Sequence, residues 1–215
     1  MWGRRLSVSL LVSGLALLAP REAGAKSAQP QEDLENLSFI EMINSVELGE
    51  QSEFIQQFQN KEARTKLLGK FNGTDGCSVE NYRNKEVLLI TIPASLLFAP
   101  NETLLNDKAA SYLVNFKRYL KQPDTYRVLL VMHTDNTGSP QYRDEITEER
   151  VESVFEWFEQ QGCDTSFLFP YAMGDDMPIV ENDSQKNRDT NRRLEIYLMP
   201  GSKMLEQAKK GRIEF

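Results

Sequence analysis

Apolar and polar positions change period along the chain, and the changes mark out its elements. Glu86-Val-Leu-Leu-Ile-Thr-Ile92 and Tyr126-Arg-Val-Leu-Leu-Val-Met132 are near-continuous apolar runs of strand length, as expected of strands buried on both faces. Between them Ala109, Leu113, Phe116 and Leu120 recur at helical spacing behind Asn106, a good N-cap, and Pro123 closes that region. Val151, Val154, Phe155 and Phe158 make a second helical stripe within residues 147–161, stopped by Gly162. Residues 165–171 read as a third strand. Leu194, Ile196 and Leu198 alternate as a fourth with one buried face, ended by Pro200. The expected fold class is α+β: a β-α-β-α-β-β mixed sheet, with right-handed crossovers packing the helices on it.

A short helical segment precedes this domain. Leu37, Ile40, Ile43 and Val46 recur every third residue, and Phe54, Phe58, Leu67 and Leu68 suggest another helix ending near Gly69. Asn72-Gly-Thr-Asp-Gly76 is turn chemistry. The expected organisation is a helical appendage and linker over 37–82, a main domain over 83–200, and a basic tail over 201–215 with a helical turn or two around Leu205.

The amino end reads differently. Arg4 and Arg5 form a basic region, Leu6 to Leu18 an apolar core, and Ala23-Gly24-Ala25 an A-x-A cleavage site, so 1–25 reads as a signal peptide and 26–36 as a flexible tether. No transmembrane segment is expected in the mature chain, and no Cys near the cleavage site could accept a lipid. Removing 1–25 takes away three arginines and one glutamate, moving the formal charge from −7 to −9, which excludes nucleic acid as a natural partner. Export would carry Cys77 and Cys163 into an oxidising compartment, where an even count permits one disulfide.

The chemistry concentrates in His133-Thr-Asp-Asn-Thr-Gly-Ser-Pro-Gln-Tyr-Arg-Asp-Glu-Ile-Thr-Glu-Glu-Arg150, a strand-to-helix loop. Such loops lie at the carboxyl ends of strands, where open α/β sheets bind ligands, so Asp135 is expected exposed and aimed outward. Thr147 fits an N-cap, with Ile146 and Val151 at the hydrophobic-staple positions, which puts Arg150 at N3. A cation there opposes the helix dipole, and a broken local rule marks a functional position.

The pattern T-D-x-x-G-x-x-x-Y, followed by an Arg, resembles the peptidoglycan-binding OmpA C-terminal-like domain family. Gly174-Asp-Asp-Met-Pro178, Asn182 and Asn187-Arg-Asp-Thr-Asn-Arg-Arg-Leu-Glu-Ile196 extend the match, as does Phe98-Ala-Pro-Asn101 upstream. The resemblance implies an OmpA-like fold and non-covalent binding of peptidoglycan through the diaminopimelate of its stem peptide, in the periplasm, linking the envelope to the cell wall. It carries the ligand role onto Asp135 and Arg150, with Asn101 secondary and one of Arg192 and Arg193 supporting. Arg143 stands where the family usually has Asn, where an extra cation either adds a carboxylate contact or pairs with Asp135. Ala99 stands where Asp is frequent.

Other readings stand beside this one. From the loop alone Asp135 and Arg150 make a structural ion pair. His133, Asp135 and Ser139 have the types of a hydrolase triad but crowd one loop, so no enzyme is expected. With His133 the only histidine, neither metal nor cofactor is expected. The sequons at Asn36, Asn72, Asn101 and Asn182 matter only in a eukaryotic secreted protein. The rival function is an interaction subunit with a degenerate pocket, binding an envelope protein through 37–82.

Overall fold

The computed structural model describes residues 34–71, 73 and 75–215; the signal-peptide reading and most of the tether lie outside them. Among the described residues five strands form one sheet in the order β1-β2-β5-β3-β4: β1 (Ser78–Tyr82), β2 (Val87–Pro93), β3 (Tyr126–His133), β4 (Leu168–Ala172) and β5 (Arg193–Pro200). β3 and β4 pair in parallel, with Val131 opposite Tyr171; β5 lies between β2 and β3 and is antiparallel to both. The expected mixed α+β sheet is the one observed. Its extra strand, β1, occupies what reads in sequence as linker, and its exposed polar composition gives no apolar run to find.

β5 was expected to bury one face, but all eight of its residues are buried. The register explains why. Leu194, Ile196 and Leu198 share a face with Val128 and Leu130, while Glu195, Tyr197 and Met199 point the other way. That second face is covered by α1 (Phe39–Asn44), whose Phe39 ring packs on Tyr171 and Tyr197 at 5.8 and 5.3 Å.

Ser38 and Glu41 close a reciprocal capping box on α1. Its buried side is Phe39, Met42 and Ile43, so the every-third-residue stripe is displaced and Ile40 is exposed. Arg83, in the β1–β2 turn, donates to the carbonyls of Ile43 and Val46 and pairs with Glu86, tying α1 to the sheet. Next comes α2 (Ser52–Glu62), continued by a wider π-helical turn into α3 (Leu68–Phe71). Its buried line is Ile55, Gln59 and Glu62 rather than Phe54 and Phe58. Gln59 is fully buried and satisfied: it donates to the carbonyls of Glu86 and Leu198 at 3.1 Å each and accepts from Tyr126 Oη. The segment therefore shares the hydrophobic core of the sheet.

On the sheet face opposite α1, α4 (Ala109–Leu113) tightens into a 3₁₀ stretch to Leu120, burying the expected Ala109, Leu113, Phe116 and Leu120. The crossover helix from β3 to β4 is α5 (Pro140–Gln160), with Gly162 just beyond it at φ +70°. Two further helices follow: α6 (Gln185–Asn191), which reads in sequence only as turn-rich, and α7 (Ser202–Lys209), which supplies the helical turns expected around Leu205. Met204 and Ala208 of α7 are buried, and Phe215 packs on Tyr119 and Tyr126, so the tail is docked.

The cysteines do not bridge. Cys77 leads into β1 and Cys163 into β4, the opposite edges of the sheet, and both are free thiols. Among the described residues no helix is long and apolar enough to cross a membrane.

Candidate functional site

Four parts of the chain meet at one end of the sheet, where β2 and β3 stop and β5 begins. They enclose a cavity of about 490 Å³. Phe98, Ala99 and Asn101 line it from the segment after β2, Asp135 and Thr137 from the loop after β3, Tyr142, Ile146 and Arg150 from α5, and Gln185, Asp189 and Arg192 from the α6 region.

Asp135 is buried rather than exposed: 1% of it reaches solvent. One carboxylate oxygen accepts from Thr137 N–H at 2.7 Å and the other is ion-paired with Arg192, which also pairs with Asp189. Burial pushes the Asp135 carboxyl up, but the Thr137 and Arg192 contacts outweigh it and hold it below its ordinary value. A folded protein at neutral pH therefore keeps an anion at the cavity's inner wall.

Arg150 lies mid-helix, not at N3. Ser139 is the true N-cap, accepting from Tyr142 N–H at 3.1 Å, and Pro140 takes N1. Thr147, expected as the cap, is buried within the helix, donating to the carbonyls of Arg143 and Asp144 and accepting from Gly174 N–H. The Arg150 guanidinium donates to Glu102 O at 2.9 Å and Ala99 O at 3.4 Å, and its Cζ lies 4.9 Å from the centre of the Phe98 ring. No carboxylate pairs with it among the described residues. Burial lowers its pKa, Tyr142 opposes that, and the like charge of Arg192 adds to it. Arginine stays protonated even so. The cavity thus holds an unpaired guanidinium and a carboxylate on separate walls.

Asn101 lines the cavity in a left-handed conformation (φ +60°), accepting from Tyr142 Oη at 3.2 Å. Arg192 lines it as well. Arg193 does not: strand alternation sends it to the other sheet face, where it donates to Glu195 at 2.8 Å and to the carbonyls of Asn191 and Met177. Arg143 is also outside the lining, and its guanidinium meets Asp175 rather than Asp135. His133 points to the Arg193 face, 3.2 Å from Glu195, so no Ser139–His133–Asp135 arrangement forms. Sequence reading missed Asp189, Gln185 and Thr137. Gln185 and Asp189 stand four apart, the spacing that places both on one helix face, once 185–191 is known to be helical. Among the described residues no group of three or more His, Cys, Asp and Glu converges to hold a metal ion.

Residues 97–192 match the model of the OmpA family. The probable lipoprotein YiaD of Escherichia coli K12 is 25% identical over 197 residues, spanning 92% of this chain and 86% of that protein. The outer-membrane lipoprotein YfiB of Pseudomonas aeruginosa is 31% identical over 105 residues, 49% of this chain and 62% of its own length. The peptidoglycan-associated lipoprotein of Buchnera aphidicola is 22% identical over 102 residues, 47% of this chain and 59% of that protein. Among solved structures, a putative MotB-like protein from Desulfovibrio vulgaris superposes with a TM-score of 0.59 at 25% identity, covering 70% of this chain and 98% of that one.

Proposed function

We propose that this protein, whose residues 97–192 match the model of the OmpA family, binds peptidoglycan non-covalently in the periplasm, holding the cell envelope to the cell wall. The relatives named as outer-membrane and peptidoglycan-associated lipoproteins support an envelope role. The observation that carries the reading is the cavity, which presents the buried Asp135 carboxylate on one wall and the unpaired Arg150 guanidinium on another.

That charge arrangement suits a zwitterionic end. A carboxylate takes an ammonium, and a guanidinium forks onto a carboxylate. Diaminopimelate in a peptidoglycan stem ends in such a pair, and it is the ligand proposed here. Arg150 would receive the ligand carboxylate. Asp135 would receive the ammonium while sharing its charge with Arg192, whose second partner Asp189 offers an alternative resting place. Asn101, held by Tyr142, adds a side-chain amide at the rim. Every step is recognition rather than bond-breaking, so the protein works without turnover.

Co-sedimentation tests the reading. The mature protein should pellet with sacculi whose stems carry diaminopimelate and stay in the supernatant with sacculi whose stems carry lysine, which lacks the terminal carboxylate. Equal pelleting with both, or with neither while an envelope protein is captured through residues 37–82, contradicts it.

A further inference from the structure

Arg143 sits in the first turn of α5, where a cation opposes the helix dipole. It does not face the cavity, so binding does not explain it. Its Nε donates to Asp175 Oδ1 at 2.7 Å, and its Nη1 donates to the carbonyls of Gly138 at 2.8 Å and Asn136 at 3.3 Å.

The peptide between Asn136 and Thr137 supplies the reason. In a planar trans peptide the C=O and the N–H point in opposite directions. With the Asn136 carbonyl turned onto Arg143, the Thr137 N–H is turned away from it and donates to Asp135 Oδ1 at 2.7 Å. Gly138, the other carbonyl Arg143 holds, adopts φ +83°, and a Cβ there would lie 2.6 Å from Tyr142 Cδ1. Arg143 thus holds two carbonyls of the loop, and the Tyr142 ring lies close against Gly138. Asp175 belongs to the turn after β4, which is itself fastened to the loop: Thr134 N–H donates to Gly174 O at 2.8 Å.

We propose that Arg143 is a positioning residue for the cavity, setting the Asp135 carboxylate through the Asn136–Thr137 peptide, with Asp175 holding Arg143 in place. Its consequence for ligand affinity rests on the function proposed above; its consequence for Asp135 does not. The role is filled best by an arginine. A planar fork reaches an acid on one turn and two carbonyls on another at once, where an ammonium holds them less completely. The Arg143–Asp175 pair is partly exposed, so it contributes little to overall stability and its effect is local.

The test follows the Asp135 carboxyl signal and the Thr137 amide by NMR in ligand-free protein across pH, for wild type, Arg143→Ala, Arg143→Lys and Asp175→Asn, with sacculus binding in parallel. In Arg143→Ala the Asp135 titration moves to higher pH, the Thr137 amide loses its hydrogen-bonded shift, and affinity falls about tenfold, the scale of one charge-assisted contact. Arg143→Lys recovers part of each change, and Asp175→Asn shifts Asp135 in the same direction. An Asp135 titration and Thr137 amide unchanged in Arg143→Ala overturn the proposal. So does Arg143→Lys performing no better than Arg143→Ala. If wild type fails to bind sacculi, the function falls, and the Asp135 titration still decides the positioning role. Should Arg143→Ala fail to fold, Asp175→Asn gives the same readout.

Discussion

Asp135 and Arg150 share one cavity but hold different partners: the carboxylate is paired with Arg192, while the guanidinium rests on Phe98 and donates to the Glu102 carbonyl. They are therefore not one ion pair, and their substitutions separate. Asp135→Asn keeps an acceptor for Thr137 N–H and loses the Arg192 pair, while Arg192 keeps Asp189 as its partner. Sacculus binding should fall while the thermal transition stays cooperative. Arg150→Glu should instead lower the melting temperature strongly, because it buries an anion against two carbonyls, a cost of roughly 3–5 kcal/mol. The helix-capping reading gives the opposite sign for that variant, since it places Arg150 at N3. Thermal melts of the two variants decide between the registers.

Gly138→Ala isolates the loop. The residue has φ +83°, and its Cβ would meet the Tyr142 ring at 2.6 Å. The left-handed backbone alone costs on the order of 1 kcal/mol. We expect a modest loss of stability, together with a shift of the Tyr142 ring signals and weaker binding. Unchanged ring signals would show that the loop does not press on Tyr142.

His133 makes stability depend on pH. It is buried, 3.2 Å from Glu195, with Nδ1 unpartnered among the described residues, and Arg193 and Tyr197 meet the same glutamate. Burial lowers its pKa, the Glu195 hydrogen bond opposes this, and the Arg193 charge adds to it. A histidine depressed in the folded state is protonated more readily in the unfolded one. Its contribution is complete above the unfolded value near 6.5 and is lost as pH falls through the folded value. Glu195 acts in a lower window: its folded pKa of about 2 makes its contribution fade below about 4.5. Melting temperature should therefore fall from pH 7 to pH 5, and the fall should be smaller in His133→Gln. Identical pH profiles would remove His133 as the cause.

Cys77 and Cys163 should both take up an alkylating agent without reductant once the protein is unfolded. In the folded protein Cys163 should react first: Cys77 is buried, and burial with the nearby Asp75 pushes its thiol up to about 11. Intact mass after labelling checks this. A chain that takes no label when unfolded contains the disulfide.

Much of this architecture is legible in sequence because β2, β3 and the stripes of α4 and α5 repeat apolar residues at one period. The failures have specific causes. Thr147 and Ser139 both satisfy capping chemistry, and Pro140 at N1 was the signal that favoured Ser139. β1 is polar, so only its pairing with β2 identifies it. In the site, Asp135, Arg150, Asn101 and Arg192 were found through ordered motifs and do line the cavity. The pairing of Arg143 with Asp175, across 32 positions, leaves no local pattern to read.

The most direct measurement is titration of the folded protein with meso-diaminopimelate, followed by backbone and arginine NMR signals, in wild type and Arg150→Lys. The account predicts saturable shifts at Asp135, Thr137 and the Arg150 guanidinium in wild type. It predicts much weaker shifts in Arg150→Lys, where a point cation replaces the fork. Absence of shifts around the cavity in wild type, or equal affinity in both proteins, would contradict it.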